Sequence, residues 1–172
     1  GLSVDTANAW RQKERLQLTA AVASHAGILA VMAGGSEADV RLASRNSVLS
    51  NMPNAGFGRV IHEDLKDIVL SEYDGLNDTI SAPATTDDID TVTVQLHRDN
   101  AGNNPVGTYL LQFVGFPSWQ VRSYGTTVVV DFESCPNYEG IWAHGYVNSN
   151  DDNLFGPDFC VHSQDQVQLP QD

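Results

Sequence analysis

The chain has 172 residues, 41% hydrophobic and 18% charged, with 22 acidic against 9 basic side chains and a net charge of −13. It is long enough for a domain with a real core and too apolar for a disordered chain. Seven of the nine Lys and Arg lie in the first 66 residues, so no cationic groove can be assembled downstream of Lys66 and nucleic acid is not an expected partner.

Residues 1–32 contain no proline and read as one long helix. From Leu16 onward the apolar positions recur at three- and four-residue steps: Leu16, Ala20, Ala23, Gly27 and Ala30, flanked by Leu18, Val22, Ala26 and Leu29. The first half is polar, with Asp5, Arg11, Gln12, Lys13, Glu14 and Arg15, which predicts a wet stem ahead of a buried tip. At roughly 1.5 Å per residue the helix would run roughly 45 Å, longer than a domain of this size is wide. Part of it is expected to protrude or to meet another chain. Residues 16–32 are short for a membrane span and contain Gln17, Thr19, Ser24 and His25, so they read instead as a packing helix. Its small-residue face suits the close approach of another backbone.

The stretch GLSVDTANAWRQKERLQLTAAVASHAG resembles the membrane-proximal segment of TadG-like proteins of the tight-adherence (Tad, or Flp) pilus system. The matching positions are Gly1, Leu2, Val4, Asp5, Arg15, Leu16, Gln17, Ala20, Ala23, Ala26 and Gly27, and Ala21 departs from an aspartate usual in that family. The resemblance implies a transmembrane anchor just ahead of Gly1. It also implies a pilin-like plan of a long helix on an antiparallel sheet, other Tad pilus subunits as partners, and a place in the bacterial cell envelope. There the chain would be anchored in the inner membrane, its domain in the periplasm or on the pilus surface.

Gly34 and Gly35 close the first helix, and Ser36-Glu37-Ala38-Asp39 opens a second over 36–51 with a capping-box pattern. Val40, Ala43, Val48 and Leu49 are its expected inner face. The two helices form a hairpin over residues 1–56. From Gly58 the period changes to two, predicting strands at Val60-Ile61, 67–73, Thr79-Ile80 and 91–97. Val92, Val94 and Leu96 would point inward, and His97 would sit in solvent beside Gln95. Residues 106–116 read as a short buried helix with Tyr109, Leu110, Phe113 and Val114 inside. Residues 119–130 read as a strand kinked or bulged at Gly125. The expected fold is therefore α+β: a helical hairpin (1–56) packed on an antiparallel β-sheet (57–130), followed by a β-rich extension (131–172).

In that extension Cys135 and Cys160 enclose 24 residues of acidic, turn-rich sequence, and a disulfide is expected. The rival use of Cys135, His144, Cys160 and His162 as metal ligands lacks the C-x-x-C pair on which structural zinc usually draws. Tyr138, Trp142, Tyr146 and Phe155 are candidate surface-contact residues. Ala143-His144-Gly145 and Val161-His162-Ser163 echo one another eighteen residues apart, a spacing that would suit short β-solenoid segments. Calcium could be sought at Asp151, Asp152 and Asp158, but an EF-hand is ruled out by Asn153 and Phe159 at its sixth and twelfth positions, and Asx turns account for these side chains. No nucleophile, phosphate-loop or metallohydrolase motif is present, so no catalytic residue, metal or cofactor is expected. The expected function is a non-enzymatic pilin-like or assembly subunit of a Tad pilus, with Leu16, Ala20, Ala23, Gly27 and Ala30 as the helix-packing face. The alternative is an extracellular adhesin or ligand-binding module using the cysteine loop.

Overall fold

The computed structural model describes residues 2–75, 77–129, 140–143, 145, 147–148, 160–163 and 167–168. The chain divides into two compact units, Gly1–Val129 and Val130–Asp172. In the first, α1 (Leu2–Met32) ends in a Schellman turn: Gly34, at φ +75°, donates its N–H to Val31 O at 2.8 Å, and Gly35 donates to Ala30 O at 2.9 Å. Helix α2 (Glu37–Asn51) folds back along it from a true capping box, Ser36 and Asp39 exchanging side-chain and backbone bonds. Its buried positions are Val40, Ser44 and Val48. Two single-turn helices follow, α3 (Asn54–Phe57) and α4 (Asp64–Asp67).

The sheet is antiparallel throughout, in the order β2-β1-β3-β6, from β1 (Ile68–Asp74), β2 (Thr79–Ser81), β3 (Thr91–Arg98) and β6 (Val121–Val128). Two-residue strands β4 (Val106–Gly107) and β5 (Ser118–Trp119) close the connection between β3 and β6. Alternation holds along β3: Val92, Val94 and Leu96 are fully buried against the helices. Ile68, Leu70 and Val121 extend that layer, and Leu16, Ala20, Ala23, Ile28, Val40, Val48 and Met52 meet it from the helices. The hairpin and the sheet thus share one core.

Glycines set how closely the two layers approach. A Cβ on Gly125 of β6 would fall 2.6 Å from the backbone of Ala20 and Ala21. One on Gly27 would fall 2.9 Å from Val92 Cγ1 and would also strike Ser44. Gly125 is therefore no bulge: its register with Val94 is unbroken, and it is small because α1 lies directly on it.

Three further expectations are corrected. The stem of α1 is wet as expected at Arg11, Lys13, Glu14 and Arg15, but Asp5, expected among those wet residues, is 1% exposed and is held by the connection before β6. Val60-Ile61 is a buried irregular segment, not a strand, and fills the edge of β3 beyond the end of β1, where Val60 O accepts the His97 N–H at 2.9 Å. Residues 106–116 form β4 and a 3₁₀ turn at Leu111–Val114 instead of a buried helix, and Tyr109, Leu110, Phe113 and Val114 are exposed, Phe113 at 80%.

In the second unit, β7 (Gly140–Ala143) pairs in parallel with β9 (Cys160–Ser163), and β8 (Val147–Asn148) with β10 (Val167–Gln168). Both pairs have the same offset, Gly140 opposite Cys160 and Val147 opposite Val167, as in successive rungs of a β-solenoid. The register sets Trp142, not His144, opposite His162. Cys135 lies outside the described residues, so the disulfide expected with Cys160 does too.

Candidate functional site

Two places in the first unit go beyond core packing: α1, and a buried cluster of imidazoles and carboxylates at the end of β3. Helix α1 carries Leu16, Ala20, Ala23 and Gly27 on its buried face and a half-buried Ala30. All five lie within the chain's own core or at its edge. Polar bonds fix the helix along its length. Ser24 Oγ meets Thr127 Oγ1 of β6 at 2.8 Å, and Gln12 Oε1 accepts from Arg98 of β3 at 2.8 Å. Asp5 accepts three consecutive backbone N–H groups, from Tyr109 at 2.6 Å, Leu110 at 3.0 Å and Leu111 at 2.8 Å. Burial opposes the charge on Asp5, but these three donors outweigh it and hold its carboxyl below the ordinary 3.8.

The opposite face of α1 is also apolar. Leu18, Val22, Leu29 and Met32 stand in solvent at steps of four, seven and three residues, with exposed His25 between Val22 and Leu29, and Leu18 and Met32 are each 68% exposed. By length and composition alone, α1 is apolar enough to cross a membrane, with mean hydropathy 1.2 over 18 residues. In this fold its inner side is occupied by the sheet.

The second place comprises His62, His97, Asp67 and Asp99. His97 is 7% exposed, which corrects the expectation of a solvated side chain. Its face of the sheet is wet at Tyr124 and Thr126 but is covered at this end by residues 58–67. Asn104 holds that cover in place. Its Nδ2 donates to Phe57 O, Arg59 O and His97 O at 3.0, 3.3 and 3.2 Å, while its Oδ1 accepts from Asp99 N at 2.9 Å. Asp67 joins the two histidines: its Oδ2 accepts the backbone N–H of His62 at 2.6 Å and its Oδ1 lies 3.1 Å from His97 Nε2. The rings stack at 4.8 Å between centroids. Asp99 faces both, Oδ1 3.4 Å from His62 Nε2 and Oδ2 4.0 Å from His97 Nδ1, with Arg122 3.6 Å away on the solvent side. Neither His62 Nε2 nor His97 Nδ1 has a hydrogen-bond partner. No hydroxyl or thiol bonds either ring among the described residues, so the cluster holds no activated nucleophile.

His97 and Asp99 share a strand face by their i, i+2 spacing, a signal legible in the sequence. The approach of His62 and Asp67 was not, because it depends on how residues 58–67 cross the sheet. Of the other predicted residues, Trp142 and His162 are opposed in the β7–β9 ladder. Tyr138, His144, Tyr146, Phe155, Asp151, Asp152 and Asp158 lie outside the described residues. Compared with protein-family models, with curated proteins and with solved structures, the chain matches none.

Proposed function

We propose that the chain is a non-enzymatic, pilin-like subunit of a Tad-type pilus system that associates with its neighbours through the outer face of α1. The observation that carries this reading is a helix apolar on both sides, one side filled by its own sheet and the other left with Leu18, Val22, Leu29 and Met32 in water. An exposed apolar stripe on a helix ordinarily marks a surface that another element covers, and packing against like helices of other subunits would cover this one. The resemblance of residues 1–27 to TadG-like proteins supports the assignment and supplies the location, the cell envelope with an inner-membrane anchor ahead of α1. The apolar side chains near the start of α1, Leu2, Val4 and Trp10, together with the loop pinned by Asp5, suit a membrane-proximal end. A disulfide between Cys135 and Cys160 belongs to the same reading, since the envelope is oxidising.

The test is co-purification of the complete natural protein with sheared pili against the membrane fraction, comparing wild type with Leu18→Glu/Leu29→Glu. Wild type should travel with pili and the double variant should not. Wild type confined to membranes, or a double variant that still enters pili, would refute association through this face.

A further inference from the structure

We propose that His62 Nε2, His97 Nδ1 and the Asp99 carboxylate form a three-ligand site for a divalent cation of the zinc class, with Asp67 orienting His97 from behind. The three ligand atoms already lie within 4.8 Å of one another. In a tetrahedral site with bonds of about 2.0–2.1 Å, ligand atoms stand about 3.3 Å apart. The His62–Asp99 pair, at 3.4 Å, is at that spacing, and His97 Nδ1, 4.0 Å from Asp99 Oδ2, would have to move closer on binding.

The hydrogen-bond pattern is compatible with a metal. Asp67 Oδ1 lies 3.1 Å from His97 Nε2 and as a carboxylate can only accept there, which leaves His97 Nδ1, on the side of Asp99, as the nitrogen open to a ligand. That Nδ1 is buried without a donor, an arrangement with a cost that coordination would remove. Carboxylate behind imidazole, imidazole toward metal, is the usual second-shell pattern for a ligating histidine. Two imidazole nitrogens and one carboxylate oxygen suit Zn²⁺ over Ca²⁺ or Mg²⁺, which prefer all-oxygen shells.

Gly102 borders the site: a Cβ there would fall 2.8 Å from His62 Nε2 and 2.7 Å from Asn104 Oδ1. The Gly102 N–H meanwhile orients Asp99 through a 3.0 Å bond to Oδ1. His62 also lines a cleft of about 430 Å³ with Arg45, Asn54, Arg59, Glu63 and Asp64, on the side of the ring away from His97 and Asp99, which do not line it. Arg122 is the competing cation, and on metal binding its exposed side chain is free to swing away from Asp99. With three protein ligands the fourth position is left to water. The ion would tie residues 58–63 to the end of β3.

The experiment titrates the untagged, chelator-treated chain with ZnCl₂, and with CaCl₂ in parallel, by calorimetry and thermal melting. One Zn²⁺ should bind and raise Tm by about 5 °C at a hundredfold excess over Kd, with no response to Ca²⁺. His62→Ala, whose side chain is partly exposed and so leaves the apo fold intact, should lose at least tenfold in affinity, whereas His25→Ala should lose nothing. Arg122→Gln should bind more tightly. Absence of Zn²⁺ binding by wild type, or binding unchanged in His62→Ala, would overturn the proposal. So would equal responses to Zn²⁺ and Ca²⁺. None of these outcomes depends on pilus association, so this site and the outer face of α1 stand or fall separately.

Discussion

The two faces of α1 are both apolar, yet they are made of different residues. The inner face at its tightest is Ala20, Ala23, Ser24 and Gly27; the outer is Leu18, Val22, Leu29 and Met32. The inner residues are small because backbone comes to them: Gly125 lies against the main chain of Ala20 and Ala21, and Val92 against Gly27. The outer residues are large with nothing in this unit to fill. Small residues thus mark where α1 is already packed, and large ones mark where a partner would gain most by burying it.

The sharpest way to break the inner face is Gly125→Val. The new side chain has no room without moving α1 off β6, so the variant should lose about 3 kcal/mol or more in urea denaturation. Ala20→Trp on the facing helix position should act in the same direction.

Next in size is Asp5→Asn. A single amide oxygen cannot replace two carboxylate oxygens accepting three N–H bonds, and the amide NH₂ would face a donor. Tm should fall at neutral pH. Because the folded pKa of Asp5 lies below 3.8, the wild-type contribution is complete above that value and is lost as pH falls through the lower, folded one. Melts followed between about pH 2 and pH 7 should therefore show a flatter acid limb in the variant.

Ser24→Ala removes the bond to Thr127 and should cost about 1 kcal/mol by the same denaturation assay. On the outer face, Leu18→Glu/Leu29→Glu should stay within about 0.5 kcal/mol of wild type, since neither side chain contributes to the core.

Local pattern carried much of the first unit. The proline-free, alanine-rich run gave α1, the Ser36–Asp39 box gave the start of α2, and alternation through Val92, Val94 and Leu96 gave β3 and its inward face. What it missed was set by contacts distant in sequence. The backbone donors of Tyr109 to Leu111 bond to Asp5, more than a hundred positions upstream, so an apolar run that looked like a buried helix stays on the surface. Strand alternation puts His97 on a wet face, and residues 58–67 cover that face only at its end. The approach of His62 to His97 and Asp99 is illegible for the same reason: His97 and Asp99 are neighbours in sequence, but His62 joins them through Asn104's bonds to Phe57 and Arg59.

The most direct test of the division between the faces is photocrosslinking in cells that assemble pili. A benzophenone side chain would be placed at Leu29 on the outer face of α1 or at Val69 on the open face of the sheet, both exposed. Crosslinked oligomers of the protein from position 29 and none from position 69 are the predicted result. Oligomers from position 69 alone, or from neither position, would contradict the claim that the outer face of α1 is the surface on which subunits meet.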